Sequence, residues 1–337
     1  MNSEVFSIGD WVEVRSLEEI ILTLDDTNSL ADLPFMPEMV KYCGRRFRIM
    51  KSAHKTCDPS GRSKLRRMEN AVHLDTRCDG SGHDGCEARC LIFWKTDWLK
   101  KVEGDNNAEP PAAAPQDIER LQRTTKVDAE RYRCQLTHLP DATTKLPLWN
   151  VGHYFKDLTT HNISFKLLFT TVPKTFLNEF YTRIIAPLPR AIKRSMAKSS
   201  ETSKTAGILN LQPNELVQVR SKQEILATLD KKQKYRGMRF ELEMFRYCGK
   251  TFRVSHRMTK AISEHTGKML RFKKDCVVLD GVACRGLDSV MRLFCQRAAL
   301  YYWREAWLQR ASDASPSACS QTSSDDQKSA QSLEHSA

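Results

Sequence analysis

Long hydrophobic runs are absent from this sequence. Nowhere in its 337 residues do the roughly eighteen consecutive apolar residues occur that a membrane-spanning helix needs. Residues Met1 to Trp11 also lack the basic start and the apolar run of a secretory signal peptide. We therefore expect a cytoplasmic protein.

The short motifs of common enzymes are absent as well. The sequence contains no glycine-rich phosphate loop, no G-x-S-x-G nucleophile turn, no H-E-x-x-H metal motif and no dinucleotide fingerprint. No known motif therefore points to an enzyme mechanism. The composition, with 40% hydrophobic and 28% charged residues, is that of a globular protein.

Charge is unevenly distributed along the chain. The net charge is +12, and residues 166–310 carry 29 basic and only 12 acidic side chains. An anionic partner would therefore be met over residues 166–310.

The chain contains an internal repeat. Residues 12–49 align with residues 217–254 at a constant offset of 205, and 17 of these 38 positions are identical. After a variable loop the likeness resumes, and Trp94 and Trp98 align with Trp303 and Trp307. Two copies predict a tandem pair and not a solenoid, which needs three or more stacked units. We call residues 1–103 copy 1 and residues 211–310 copy 2.

Each copy is predicted to be a small α+β unit made mainly of β-strands. Residues 12–14 alternate as in a strand, and Ser16 with Glu19 forms the capping-box pattern that starts a helix. Short strands around one helix favour a pair of SH3-like barrels or related units. Between and after them, the sequence predicts a flexible linker over 104–147, a partly helical basic bridge over 148–210 and a disordered tail over 311–337.

Cysteine is plentiful, with 11 residues. Because disulfides are rare in the cytoplasm, metal ligands, buried thiols or reactive thiols are favoured. One short loop contains four potential zinc ligands, Cys78, His83, Cys86 and Cys90. The glycines between them would let the loop wrap around an ion, and zinc takes four such ligands. The loop is therefore a candidate zinc site.

The second copy retains part of this set. Cys43, Cys78 and Cys86 of copy 1 align with Cys248, Cys284 and Cys295, whereas Cys90 and His83 have no such counterpart. Cys43 and Cys248 are therefore either further metal ligands or buried core thiols. A nucleophilic cysteine is less favoured, because no histidine shared by the two copies could serve as its base.

Several segments resemble a family of bacterial proteins of unknown activity. They are VEVRSLEEIILTLD, LPFMPEMVKYCGRRFRI, RCDGSGHDGCEARCLIFWKTDWL, LNLQPNELVQVRSKQEILATLD and YYWREAWLQR. The resemblance covers both copies and much of 145–210. It implies a bacterial cytoplasmic accessory protein encoded near sugar-transfer or other biosynthetic genes, and it assigns neither catalytic residues nor a metal.

Three functions are compatible with these patterns. The leading hypothesis is a non-catalytic tandem module, stabilised by zinc in at least copy 1, that binds a partner protein or scaffolds a biosynthetic complex. The second is nucleic-acid binding through residues 166–310. The third is an enzyme of a surface-glycan or natural-product pathway. Its candidate residues are the polar residues that copy 1 shares with copy 2, namely Arg15, Glu38, Cys43 and Asp75.

Residues 166–198 mix basic and apolar side chains. Seven basic residues from Lys166 to Lys198 surround apolar residues that include Phe169, Phe176 and Leu177. A stretch of this kind either packs its apolar face on neighbouring domains or lies on an anionic membrane surface. Packing between the copies is the favoured interpretation, and Pro173, Pro187 and Pro189 limit any one helix to about thirteen residues.

Overall fold

Each copy starts with a strand and a capped helix, as its sequence predicts. The computed structural model describes residues 5–58, 65–105, 113–147, 150–180, 209–273, 275–287, 289 and 292–311. The side chain of Ser16 accepts a hydrogen bond from the backbone N–H of Glu19, whose carboxylate accepts one from the N–H of Ser16. Ser221 and Glu224 form the same capping box in copy 2. These boxes satisfy N–H groups that a helix start leaves without partners.

Copy 1 contains nine strands and one short helix among the described residues. They are β1 (Trp11–Val14), α1 (Leu17–Ile21), β2 (Ser29–Leu30), β3 (Leu33–Pro34), β4 (Arg46–Ser52), β5 (Lys55–Cys57), β6 (Leu65–Arg67), β7 (Ala71–Leu74), β8 (Trp94–Lys95) and β9 (Leu99–Lys101). Two 3₁₀ helices, Pro37–Tyr42 and Thr96–Trp98, precede β4 and β9.

The segment after copy 1 continues with α2 (Pro115–Arg123), β10 (Thr144–Lys145), α3 (Gly152–Thr159) and α4 (Phe165–Phe180). Copy 2 contains β11 (Leu216–Val219), α5 (Lys222–Thr228), β12 (Lys234–Tyr235), β13 (Met238–Arg239), β14 (Thr251–Arg257), β15 (Lys260–Ile262), β16 (Met269–Arg271), β17 (Val277–Ala283), β18 (Leu300–Trp303) and β19 (Leu308–Arg310). Its 3₁₀ helices are Leu242–Tyr247 and Glu305–Trp307.

The two copies build the same antiparallel sheet. The strand order is β8-β7-β4-β1-β9 in copy 1 and β18-β17-β14-β11-β19 in copy 2. Val12 lies opposite Phe47, and Val217 lies opposite Phe252 at the same offset of 205 residues. The antiparallel sheets with short helices confirm the α+β class.

The repeated tryptophans lie in the two cores. Trp98 and Trp307 are fully buried. The indole N–H of Trp98 donates to the hydroxyl of Thr23, just after α1, and that of Trp307 donates to the hydroxyl of Thr228, at the end of α5. Phe35 packs edge-to-face on Trp98 at 5.3 Å between ring centres, and Phe240 packs on Trp307 at 5.0 Å. Edge-to-face packing and a satisfied N–H are what a buried indole requires.

The predicted flexible linker differs from the structure over residues 113–147. Helix α2 lies on copy 1 with Leu121 fully buried, and Leu136 and Leu139 fill the same core. The Gln135 amide bonds both backbone groups of Phe93, at 2.9 and 2.8 Å. These apolar residues are too widely spaced for a sequence pattern to show them, yet their burial holds the segment in place.

Helix α4 is longer than the sequence predicts. It spans 16 residues with Pro173 in its interior, so the predicted limit is wrong. The helix tolerates a proline because its inner face, with Leu167, Leu168 and Val172, packs against Leu293 and Phe294. None of the described helices is long and apolar enough to cross a membrane. Residues 181–208 and the predicted disordered tail from 312 lie outside the described residues.

Two equivalent backbone hydrogen bonds join the copies. The N–H of Glu87 in copy 1 donates to the carbonyl of Lys260 in copy 2, at 3.1 Å. At the equivalent place, the N–H of Gln296 in copy 2 donates to the carbonyl of Lys55 in copy 1, at 3.3 Å. The cysteine loop of copy 1, which contains Cys86, therefore contacts the β15–β16 hairpin of copy 2. The cysteine loop of copy 2, which contains Cys295, contacts the β5–β6 hairpin of copy 1.

Candidate functional site

Four thiols line one small cavity at the junction of the copies. The cavity has a volume of about 30 Å³, and the cysteines that line it are Cys78, Cys86, Cys90 and Cys134. Ile262 of copy 2 closes one side. Cys134 belongs to the segment predicted as a linker, so its position in the sequence does not mark it as a ligand.

A backbone N–H group points at one of these sulfurs. The sulfur of Cys86 accepts a hydrogen bond from the N–H of Ile262 at 3.4 Å. The thiol of Cys78 instead donates to the Glu38 carboxylate at 3.7 Å. Donors aimed at a sulfur favour its ionised form, which is the form that ligates metals.

The surroundings of the cavity otherwise keep these thiols neutral. Burial raises the pKa of Cys134 to about 11 and raises the pKa of Cys78 and Cys90 well above the ordinary range of a thiol. Within the described residues, no three His, Cys, Asp or Glu side chains form a group that could hold a metal ion. The four thiols would have to turn towards the cavity before they could ligate one.

The structure gives His83 and Cys43 other contacts, although His83 also lines the cavity. Both ring nitrogens of His83 are engaged, Nδ1 with the Glu38 carboxylate at 2.6 Å and Nε2 with the Arg133 carbonyl at 2.8 Å. Burial lowers the pKa of His83, but the bond to Glu38 outweighs it, so the pKa is raised overall. His83 is thus an ion-pair partner. Cys43 lies in the core of copy 1, where burial raises its pKa to about 12.

The cysteines of copy 2 are dispersed. Cys248 packs on the copy 2 core, and Cys284 donates to the Glu243 carboxylate at 3.5 Å. Cys295 lies instead at the crossing with copy 1, where the N–H of its neighbour Gln296 bonds the Lys55 carbonyl. The predicted weaker set Cys248, Cys284 and Cys295 is therefore not brought together at one point.

A buried ion pair joins three parts of the chain. Lys55 of β5 and Asp157 of α3 are both fully buried and form a salt bridge. The second carboxylate oxygen of Asp157 lies 3.2 Å from Nε2 of His54. The Lys55 ammonium also lies over the rings of Tyr154 and of Phe294 in copy 2, at 5.1 and 5.3 Å. Burial lowers the pKa of Lys55, and Asp157 partly offsets this.

The β2–β3 hairpin of copy 1 is covered by the segment that follows that copy. The amide of Asn28 donates to the Arg120 carbonyl at 3.0 Å, and the Arg120 side chain donates back at 2.9 Å. The Arg133 guanidinium donates to the hydroxyls of Thr27 and Ser29, at 2.8 and 2.9 Å. As a result, only 1% of Asn28 and of Ser29 is exposed.

The β12–β13 hairpin of copy 2 has no such cover among the described residues. Gln233, which stands where copy 1 has Asn28, is exposed, and Leu242 on the adjoining 3₁₀ helix is 57% exposed. Residues 231–239 carry five basic side chains, Lys231, Lys232, Lys234, Arg236 and Arg239, and no acidic one. The equivalent residues 26–34 of copy 1 carry two acidic side chains and no basic one.

Helix α4 leaves its outer face exposed. Phe165, Phe169 and Leu177 are 67%, 71% and 69% exposed, although the opposite side of the helix packs on copy 2. Large exposed apolar side chains grouped in this way are typical of surfaces that bind other molecules.

The chain was compared with protein-family models, with curated proteins and with solved structures, and nothing in any of the three comparisons matches it.

Proposed function

We propose that the chain is a non-catalytic binding module in which copy 2 receives an acidic segment of a partner protein. The observation that carries this proposal is the contrast between the two hairpins. Copy 1 packs α2 and residues 132–139 on this face, whereas the equivalent face of copy 2 is basic and none of the described residues covers it. The strand order of each sheet, with a 3₁₀ helix before the last strand, further supports SH3-like units, which serve as binding modules.

The residues at equivalent positions of the two hairpins indicate the charge of the partner. In copy 1, the hydroxyls of Thr27 and Ser29 accept from the Arg133 guanidinium. Copy 2 has Lys232 and Lys234 at these positions. Two ammonium groups repel a guanidinium and attract a carboxylate, so a partner residue in the place of Arg133 is acidic. We expect an apolar residue of the partner to occupy the position on copy 2 that Leu121 has on copy 1, near Leu242.

A charge-swap experiment tests this function. The probe is a fluorescein-labelled peptide of residues 113–139 carrying Arg120→Glu, Arg133→Glu and Cys134→Ser, and a second peptide carries Cys134→Ser alone. We expect the full chain to bind the acidic peptide at least ten times more tightly than the arginine peptide, measured by fluorescence anisotropy. In the variant Lys232→Glu/Lys234→Glu, we expect this preference to reverse.

Two controls keep the experiment decisive. Lys166→Glu changes an exposed lysine on α4 and should leave both affinities unchanged. A double-stranded DNA oligomer is measured in parallel, because the same basic residues would attract phosphates. If DNA binds through Lys232 and Lys234 and the acidic peptide does not, the nucleic-acid hypothesis replaces this one.

We also propose that zinc stabilises the junction of the copies, held by Cys78, Cys86, Cys90 and Cys134. The support is the small cavity that these four residues line, together with the N–H group of Ile262 aimed at the Cys86 sulfur. A zinc ion would offset the cost of ionising these buried thiols. Cys134 is then the fourth ligand, for which the sequence predicts His83 or Cys43.

A second candidate function is peripheral binding to an anionic membrane through α4. Its exposed Phe169, Phe176 and Leu177 accompany Lys166 and Lys174, a combination that suits the headgroup boundary. We expect the full chain to co-sediment with vesicles containing phosphatidylserine at low salt, and Phe169→Ser/Phe176→Ser to stay in the supernatant. Wild-type protein that stays in the supernatant would leave the face to a protein partner.

A further inference from the structure

We infer that Cys57 and Cys295 form a peroxide-sensitive thiol pair that locks copy 1 to copy 2 when it is oxidised. Cys57 ends β5 of copy 1, and Cys295 lies in the cysteine loop of copy 2 that reaches across to this hairpin. Gln296, next to Cys295, donates its N–H to the carbonyl of Lys55 at 3.3 Å, and the Arg297 guanidinium donates to the Cys57 sulfur at 3.8 Å, so this crossing brings the two thiols together. Both are free thiols in the structure. This inference does not rest on the binding function proposed above.

The charges around Cys57 favour its thiolate. The guanidinium of Arg297 donates to the Cys57 sulfur at 3.8 Å, and Arg297 itself is held by Glu264. The Cys295 thiol lowers the pKa of Cys57, and the charges of Arg297 and Arg292 lower it further, while burial and Glu264 act in the opposite direction. A thiolate beside an arginine and a second thiol is the arrangement found in redox-sensing cysteines.

The internal repeat supplies a matched position without this chemistry. Cys86 is the counterpart of Cys295, and its sulfur meets Ile262, the residue equivalent to Cys57. The same crossing therefore places a thiol against a thiol at one junction and a thiol against an isoleucine backbone at the other. Packing of the fold alone does not require a cysteine at residue 57.

The oxidation proceeds in two balanced steps. The Cys57 thiolate attacks one oxygen of hydrogen peroxide, the O–O bond breaks, and Cys57 becomes a sulfenic acid with release of hydroxide. The Cys295 sulfur then attacks the Cys57 sulfur, the S–O bond breaks, and the hydroxyl leaves as water with the proton of the Cys295 thiol. Peroxide is the oxidant, and a dithiol such as dithiothreitol reverses the reaction.

Mass spectrometry of the intact full chain tests the pair. The protein is treated with an equimolar amount of hydrogen peroxide, its remaining thiols are alkylated, and it is digested without reduction. We expect a disulfide-linked pair of peptides that contain Cys57 and Cys295. Cys86 should remain a free thiol and therefore be alkylated. In Cys295→Ser, dimedone should trap the sulfenic acid at Cys57, and Arg297→Gln should slow the oxidation at least five-fold.

The wild-type result alone can overturn the inference, so a variant that fails to fold does not weaken the test. If Cys57 and Cys295 are both still alkylated after excess peroxide, the pair is not redox-active. If Cys57 links to another cysteine, the assignment of its partner is wrong.

Discussion

Replacing Asp157 by alanine is expected to lower the free energy of unfolding by about 3–5 kcal/mol, because it leaves a fully buried Lys55 ammonium without its carboxylate. The change also frees His54 and removes the hydrogen bond from Gln296 of copy 2. Both copies therefore lose a common partner in α3. Urea denaturation followed by tryptophan fluorescence measures the effect, since both cores contain buried tryptophans.

Two comparisons show whether the loss comes from the uncompensated charge. The double variant Lys55→Met/Asp157→Leu removes both charges and should recover most of the lost stability, because an apolar pair of similar volume avoids the desolvation penalty. Glu130→Ala breaks an exposed ion pair between Lys268 and Glu130, which also joins copy 2 to the segment before it. That change should be nearly neutral. An Asp157→Ala protein as stable as the wild type would contradict the account of the ion pair.

Removal of zinc is expected to have the second large effect. We expect elemental analysis of reduced, purified protein to find about one zinc per chain. Cys134→Ser should lose the metal, whereas Cys43→Ser and His83→Gln should retain it. Structural zinc contributes about 10–16 kcal/mol in zinc-finger peptides, so a chelator should lower the melting temperature by more than about 10 °C.

The matched variants separate metal binding from simple burial of thiols. Cys43 is buried in the core of copy 1 and Cys134 is partly buried against that core, but only Cys134 lines the cavity. If the wild-type protein contains no zinc and its melting temperature is unchanged by chelator, the four thiols are packing residues.

The repeated local features were predictable because they follow from neighbouring residues. The capping boxes of Ser16 and Ser221 are four-residue patterns, and both are present. The paired strands of the two copies follow from identical residues at one offset. The burial of Trp98 and Trp307 likewise agrees with their interpretation as core residues.

The candidate sites were less predictable because distant residues build them. Asp157 lies 102 residues from Lys55, and neither residue type nor spacing marks them as partners. Cys134 was hidden in a segment whose proline-rich start is typical of a linker. His83 stands among cysteines in the sequence, but the structure places the Glu38 carboxylate next to it, and that contact decides its role.

Hydrogen–deuterium exchange of the free full chain tests most directly whether copy 2 presents an open face. The amides of Phe35 and Phe240 make the same hairpin hydrogen bond, at 2.9 and 3.0 Å, so they differ in cover and not in bonding. We expect residues 233–240 to exchange at least ten times faster than residues 28–35, and the acidic peptide to slow them. Equal, slow exchange of both hairpins before any peptide is added would show that copy 2 is already covered, and would contradict the account.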